Sequence, residues 1–140
     1  MIVKFKREYL DRIMEIWLNT NVLAHSFIKE NYWKDNFYIV KEMITEAEIY
    51  VFIEENIIKG FVGIYQGHIE GIFVDKKYQG QNIGKYLLNM AKELHPRLTL
   101  NVYLKNSHAL EFYKSQNFKI IKENLDENTV EKECLMSWEK

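Results

Sequence analysis

The sequence predicts a mixed α/β fold in which a central mixed sheet of about seven strands is flanked by four helices. Two observations lead to this fold class. In some segments the apolar residues recur about every 3.6 residues, which is typical of amphipathic helices. In others they recur every second residue, which is typical of strands. The region 68–104 also reads as a strand, a helix and a second strand, a unit that forms a parallel pair. The 140 residues and their 47% hydrophobic content suit a single domain over residues 1–140.

The first half of the chain predicts one strand, two helices and a hairpin. Alternating apolar and polar residues begin the chain, and Leu10, Ile13 and Trp17 then recur at helical spacing. After a second, weaker helical stripe, the period changes to two. The predicted elements are, in order, a strand at 1–6, helices at 9–23 and 33–45, and a hairpin of strands 48–55 and 57–66 that turns near Glu55 and Asn56.

The second half predicts two further helices among four strands. Its strongest helical stripe places Ile83, Leu87 and Leu88 on one face, and Pro96 ends that helix. The predicted elements are a strand at 68–74, a helix at 82–94, a strand at 97–104, a helix at 107–116 and a hairpin of strands 117–122 and 130–138. The complete order is therefore β-α-α-β-β-β-α-β-α-β-β.

The charge balance and the cysteine content exclude several function classes. The net charge is −1 and the pI is about 6.4, so no basic field is available to bind a nucleic acid or an acidic membrane surface. No apolar run approaches the length of a membrane span, and the first ten residues contain no signal-peptide h-region. Cys134 is the only cysteine, which excludes an intrachain disulfide and favours a cytoplasmic protein. The histidines show no metal-site spacing, so we expect no metal.

The stretch 72–85 carries the clearest chemical signal in the sequence. An apolar strand runs into a polar turn, which runs directly into an amphipathic helix. The first turn of a helix offers backbone N–H groups without partners and the positive end of the helix dipole. Such an end binds phosphate well where glycine allows the backbone to approach the ligand, and Gly80 and Gly84 bracket this turn. Lys85 adds a positive charge.

Two common phosphate motifs do not fit this turn. A P-loop needs four residues between its glycines, and only three separate Gly80 from Gly84. A dinucleotide fingerprint needs three glycines, and one of those positions is Asn82. The spacing Gln79-x-x-Asn82-x-Gly84 instead resembles the Arg/Gln-x-x-Gly-x-Gly/Ala signature of the GNAT acyltransferases, the GCN5-related N-acetyltransferase superfamily. Asn82 departs from the usual glycine, but asparagine tolerates a left-handed backbone.

A second segment, 106–118, strengthens the resemblance to GNAT proteins. It is similar to the family segment Asn-x-x-Ala-x-x-Phe/Tyr-Tyr-x-x-x-Gly-Phe. The matching residues are Asn106, Ala109, Phe112, Tyr113 and Phe118. Asn117 replaces the family's glycine, a substitution that suits a helix C-cap. The segment Ala24-His25-Ser26-Phe27-Ile28, followed by Tyr32-Trp33, further resembles the small bacterial YjaB-like subgroup.

The resemblance implies a GNAT-type fold that binds acetyl-CoA as co-substrate. In this family the strand before the loop contacts the pantetheine arm, and the loop and helix start wrap the pyrophosphate. The positions that this implies for acetyl-CoA binding are Ile72, Phe73, Val74, Gly80, Gln81, Asn82, Ile83, Gly84, Lys85 and Asn106. Gly71, in mid-strand, is compatible with a bulge that admits the ligand or with close packing.

Two residues are candidates for catalysis of amine attack on the thioester. The resemblance places Tyr113 at the family's general-acid position, and a phenol stays protonated at neutral pH and can protonate the departing thiolate. The resemblance also implies that Glu70 lies on the strand beside the thioester, and burial could raise the pKa of such a carboxylate toward working pH. His68 and His25 are alternatives as the base. The amine could also enter neutral, or water could carry its proton.

The acceptor is expected to be a small-molecule or peptide amine. The resemblance implies that the N-terminal segment forms part of its site, and the candidate substrate contacts are His25, Phe27, Trp33 and His68. The aromatic residues between 27 and 38 could equally cover the sheet. The predicted function is acetyl-CoA-dependent N-acetyl transfer by a monomer or homodimer, without nucleic acid or membrane partners. A non-catalytic acyl-CoA-binding or regulatory module is the alternative.

Overall fold

The computed structural model describes residues 1–140 and contains seven strands and five α-helices. The helices are α1 (Leu10–Ala24), α2 (Glu30–Asp35), α3 (Phe37–Glu46), α4 (Ile83–Leu94) and α5 (Ser107–Ser115). The strands are β1 (Ile2–Lys4), β2 (Glu48–Glu54), β3 (Ile57–Tyr65), β4 (His68–Val74), β5 (Arg97–Tyr103), β6 (Lys119–Asp126) and β7 (Glu131–Glu139). The predicted fold class is confirmed, and the order of elements agrees with the prediction except for one additional helix before β2.

All seven strands join one sheet in the order β1-β2-β3-β4-β5-β7-β6. Every neighbouring pair is antiparallel except β4 and β5, whose connection through α4 makes them parallel. This parallel pair is short. It contains only His68 opposite Thr99 and Ile69 opposite Leu100. From Glu70 onward β4 pairs with β3 alone, so the sheet opens between its two central strands.

Each face of the sheet carries its own apolar core. On one face, α4 and α5 pack against β5 through residues such as Leu87, Leu88 and Leu100. On the other face, α1, α2 and α3 pack against β2 and β3 through residues such as Ile13 and Phe61. The alternation of side chains along each strand supplies both cores at once, because consecutive residues point to opposite faces.

The observed elements differ from the expectation in one helix. The predicted helix at 33–45 is divided into α2 and α3, which raises the number of helices from four to five. Asn36 lies at the division, and its side-chain amide donates to the Tyr32 carbonyl at 2.7 Å. Asparagine often competes in this way with backbone hydrogen bonding, which explains why a helical stripe does not give one continuous helix.

Candidate active site

The opening between β4 and β5 continues into a cleft of about 800 Å³. Its walls come from the end of α1, the second half of β4, the following loop, the start of α4 and one side of α5. The lining residues that the sequence predicts as functional are His25, Ile72, Phe73, Val74, Gly80, Asn82, Ile83, Gly84, Lys85, Asn106 and Tyr113. Five further candidates, Phe27, Trp33, His68, Glu70 and Gln81, lie outside this lining.

A β-bulge in β4 begins the opening of the sheet. Ile64 of β3 faces Ile69 and Gly63 faces Gly71, so Glu70 is the additional residue on the bulged strand. Gly71 is required here because a Cβ at this position would overlap the ring of Phe73. That ring stacks on Phe61, at 4.9 Å between centroids, on the α1 side of the sheet. Beyond the bulge, the edge of β4 that faces β5 has no strand partner, and such an edge can pair with an extended ligand.

Glu70 is exposed, so the expectation of a buried carboxylate at this position is wrong. The cause is the bulge, which leaves the additional residue without a cross-strand partner and turns it away from the cores. A proton can still reach exposed Glu70 through water.

The loop between β4 and α4 is held by contacts with Arg12 of α1 and by two local hydrogen bonds. Arg12 of α1 donates to the carboxylate of Asp75, and Arg12 also donates to the Ile58 carbonyl at 3.1 Å. The same carboxylate accepts from the Lys77 N–H at 3.0 Å, and the Gln79 amide donates to the Val74 carbonyl at 3.0 Å. Burial alone would raise the pKa of Asp75, but the hydrogen bonds from Arg12 and Lys77 outweigh this effect and lower the pKa.

The start of α4 is shaped for an anion. Gly80 has φ +84° and Asn82 has φ +65°, which is the left-handed backbone that the asparagine was expected to tolerate. The Asn82 side chain caps no N–H group of the first turn, so these donors remain available. A Cβ on Gly80 would meet no heavy atom within 4 Å, and Lys76 and Lys85 also line the cleft. Open backbone, a helix N-terminus and two cations fit the pyrophosphate of a CoA molecule.

Tyr113 lies where α5 meets the cleft, and it belongs to the apolar core at the same time. The side chain is only 8% exposed, and burial raises its pKa, so the phenol is protonated at neutral pH. A Schellman motif ends the helix beside it, because Phe118 donates to the Tyr113 carbonyl and Asn117 donates to the Lys114 carbonyl. Asn117 has φ +72°, as its role in place of glycine requires. Tyr113 and Phe118 pack edge to face at 5.7 Å, which fixes the phenol ring.

Asn106 joins the cleft to the N-terminal segment. Its Oδ1 accepts from the Ala109 N–H at 3.3 Å and so caps α5. This bond fixes the orientation of the amide and directs Nδ2 toward His25 Nε2, at 3.2 Å. Burial lowers the pKa of His25 to about 4, so the imidazole is neutral at physiological pH and Nε2 accepts the Asn106 proton. With that nitrogen occupied, His25 is poorly placed to act as a base.

His68 is held at the closed end of the parallel pair, outside the cleft. Its Nδ1 lies 2.7 Å from Thr99 Oγ1, and its Nε2 lies 3.4 Å from Asn101 Nδ2. Both partners are on β5. The histidine therefore ties β4 to β5 just before the sheet opens.

Aromatic rings form a cluster around His25 that contains three of the four expected substrate contacts. We name it the acceptor cluster after that expectation and define it as His25, Phe27, Trp33 and Tyr103. His25 lies 5.2 Å from Trp33, 5.6 Å from Phe27 and 5.2 Å from Tyr103. Trp33 is only 7% exposed and belongs mainly to the core. Tyr103 was not predicted, because it is one alternating strand residue among others and only the fold brings it to the N-terminal segment.

Carboxylates border the acceptor cluster on the side of β6 and β7. The Tyr103 hydroxyl donates to Asp126 at 2.7 Å. Burial raises the pKa of Glu133, and the neighbouring charge of Asp126 raises it further. Burial likewise raises the pKa of Tyr32, as do the charges of Asp126 and Glu133. The border is therefore negative and partly shielded from water, which favours a cation beside it.

Together, the split sheet, the cleft and the open helix start are the features expected of one class of protein, the transferases that use an acyl-CoA. The family profile of the acetyltransferase (GNAT) domain matches residues 45–120, and the chain belongs to this family. The peptidyl-lysine N-acetyltransferase YiaC of Escherichia coli strain K12 is 36% identical over 99% of this chain and 96% of its own length. The corresponding YjaB protein of Salmonella typhimurium is 30% identical over 85% of this chain and 83% of its own length.

Solved structures share this fold. Apo-form YjaB from Escherichia coli superimposes with a TM-score of 0.87 at 24% identity, covering 99% of this chain and 96% of that one. Salmonella typhimurium YncA, solved with its cofactor acetyl-CoA, gives a TM-score of 0.69 at 13% identity, covering 99% of this chain and 92% of that one. The predicted resemblance to the YjaB-like subgroup is confirmed, as is the prediction of an acetyltransferase that uses acetyl-CoA.

None of the helices is long and apolar enough to cross a membrane. The structure also contains no group of three or more His, Cys, Asp or Glu side chains that could hold a metal ion.

Proposed function

We propose that this acetyltransferase transfers the acetyl group of acetyl-CoA to the ε-amino group of lysine side chains in peptides or proteins. The observation that carries the proposal is the negative, aromatic border beside the opening between β4 and β5. The relatives at 36% and 30% identity, both named as peptidyl-lysine N-acetyltransferases, support the same acceptor.

Acetyl-CoA would lie along the cleft with its pyrophosphate at the start of α4. The unpaired edge of β4 beyond Gly71 offers backbone groups to the amides of the pantetheine arm, in the manner of an added strand. The N–H groups of the first turn of α4, with Lys85, would hold the pyrophosphate. Gln81, which lies outside the cleft lining, has the weakest support among the predicted contacts.

A lysine acceptor suits the opposite side of the opening. Its aliphatic stem can pack on rings such as Phe27 and Tyr103, and its ammonium group is favoured beside Asp126 and Glu133. A small anionic or neutral amine would gain nothing from this charge. The preference for lysine is therefore an electrostatic preference at this border, added to the amine chemistry of the family.

The chemical step forms a C–N bond and breaks the C–S bond of the thioester. The attacking amine must be neutral, and we assign the removal of its proton to water that leads to exposed Glu70. The departing sulfur gains negative charge, and Tyr113 would donate its phenolic proton to the thiolate. This phenol is protonated in the resting protein and is packed in place between Phe112 and Phe118.

Tyr113→Phe tests the proposed acid. The substitution keeps the ring and its packing, so the fold and the affinity for CoA should survive, whereas turnover on a lysine peptide should fall about a hundredfold to ten-thousandfold. The measurements are calorimetry with CoA and steady-state release of free thiol from acetyl-CoA. Equal turnover in Tyr113→Phe and the parent protein would show that the tyrosine serves only the core.

The acceptor is tested with one peptide in three versions. The lysine peptide should be acetylated, while the versions with arginine or Nε-acetyllysine at the same position should not release thiol. Similar thiol release from all three versions would contradict acetylation of the lysine side chain. Faster acetylation of small polyamines or aminoglycosides than of any lysine peptide would contradict the proposed acceptor but not the acetyltransferase activity.

A further inference from the structure

Lys105 belongs to the protein itself but occupies surroundings suited to an acceptor lysine. It lies in the turn between β5 and α5, directly after Leu104 and before Asn106 of the cleft. Its ammonium group lies 5.6 Å from the centroid of the Phe27 ring and 3.1 Å from Glu131 Oε1. A ring face and a carboxylate are the two groups that best stabilise a lysine ammonium at a protein surface.

No other lysine contacts a ring of the acceptor cluster. Four lysines lie over aromatic rings, and the other three contact Tyr9, Tyr78, or Phe118 and Trp138, none of which belongs to the acceptor cluster. The Lys105 side chain is 61% exposed, whereas its partner Glu131 is only 16% exposed. The lysine is therefore free to leave its site, and Glu131 is the more covered of the two partners. Exposure of this kind permits the long, flexible side chain to reach different positions at little cost.

We propose that Lys105 is acetylated by the protein's own activity, within the same molecule. This inference rests on the proposed transfer to lysine. The Lys105 ammonium would lose a proton to water, and the neutral Nζ would attack the thioester carbonyl carbon of acetyl-CoA. The C–N bond forms, the C–S bond breaks, and the CoA thiolate takes up a proton. The products are Nε-acetyl-Lys105 and free CoA.

Acetylation of Lys105 also changes acceptor binding. An amide carries no charge, so it forms neither the ion pair with Glu131 nor the cation–π contact with Phe27. The ring and the carboxylate then become available to the acceptor's own ammonium. Lys105→Gln imitates the acetylated state, and Lys105→Arg keeps the charge. We expect KM for a lysine peptide to be about twofold to fivefold lower in Lys105→Gln than in Lys105→Arg, the range that corresponds to one exposed cation–π contact.

The test is incubation of the purified protein with acetyl-CoA alone, followed by intact mass measurement and peptide mapping. Acetyl groups should accumulate at Lys105 well before Lys132, a matched exposed lysine on β7 that contacts no aromatic ring. The first-order rate should not change with protein concentration, and excess CoA should slow it by competing for the cleft. Lys105→Arg should abolish the acetylation that precedes modification of Lys132.

Several results would overturn this inference. They are equal acetylation of Lys105 and Lys132, a rate that rises with protein concentration, and no acetyl group on Lys105. A lysine peptide assayed with the same preparation separates the two proposals. If the peptide is acetylated and Lys105 is not, only the self-acetylation is wrong. If neither is acetylated, the proposed lysine specificity is wrong as well.

Discussion

Replacing Gly84 with alanine should separate the stability of this fold from its affinity for CoA. A Cβ at this position would lie 3.8 Å from Phe112 Cζ and 3.9 Å from Ile72 Cγ2, which are ordinary contact distances. Because Gly84 is the second residue of α4, the change from glycine to alanine should stabilise the free protein by about 0.5–1 kcal/mol. The new methyl group, however, would stand where we propose that the pyrophosphate approaches the helix start. Crowding of this kind costs about 1–3 kcal/mol, or about a fivefold to hundredfold loss of CoA affinity.

The assay pairs urea denaturation of the free protein with calorimetric titration of CoA. Asn89→Ala is the matched control, because Asn89 is exposed on the same helix, away from the cleft, and alanine improves its helix propensity as well. Both variants should be at least as stable as the parent, and only Gly84→Ala should bind CoA more weakly. If Gly84→Ala binds CoA as tightly as Asn89→Ala does, the pyrophosphate does not lie at the start of α4.

Two further predictions follow from charged groups around the cleft. Arg12→Met leaves the Asp75 carboxylate without its main partner, so it should lower the free energy of unfolding by about 1–2 kcal/mol and weaken CoA binding. Thermal unfolding and calorimetry measure both effects, and unchanged values would show that the ion pair does not hold the loop. The pKa of His25 is about 4 in the folded protein, below its ordinary value of 6.5, so the native state binds fewer protons than the unfolded state. Stability should be complete above about pH 6.5 and should fall by up to about 3 kcal/mol as the pH decreases toward 4. His25→Gln should flatten this part of the stability profile, and an unaltered profile would contradict the low pKa.

Much of the fold could be predicted because its signals are local. The β2–β3 hairpin turns at Glu55 and Asn56, whose φ values of +55° and +63° are those of the expected two-residue turn. The apolar stripe of α4 and the position of Pro96 predicted the bounds of that helix to within one residue. The division at Asn36 was missed because apolar residues at helical spacing indicate which side chains face the core. They do not indicate whether the helical backbone is continuous. The place of β7 between β5 and β6 depends on pairing between distant segments, which strand patterns do not encode.

Some residues of the candidate site could likewise be predicted from local signals, and others could not. The loop glycines, Asn82 and Tyr113 could be predicted, since a short motif carries each of them and each lines the cleft. Arg12 and Asp75 could not be predicted as partners, because 63 positions separate them and neither belongs to a motif. The exposure of Glu70 was missed for a different reason. An alternating pattern assumes regular pairing, and a one-residue bulge changes which side chains are covered without leaving a clear mark in the sequence.

The two asparagines at the ends of α5 explain how a short helix can hold Tyr113, the proposed acid, in a fixed position. Asn106 caps the first turn and at the same time binds His25, so the start of α5 cannot move without disturbing the acceptor cluster. Asn117 adopts the left-handed backbone that completes the Schellman motif, and this motif brings Phe118 against the Tyr113 ring. The phenol is therefore fixed from both ends of its own helix, by local bonds that need no ligand. A preorganised donor of this kind requires little rearrangement when charge develops on the departing sulfur, which is the condition under which one hydrogen bond contributes most to the rate.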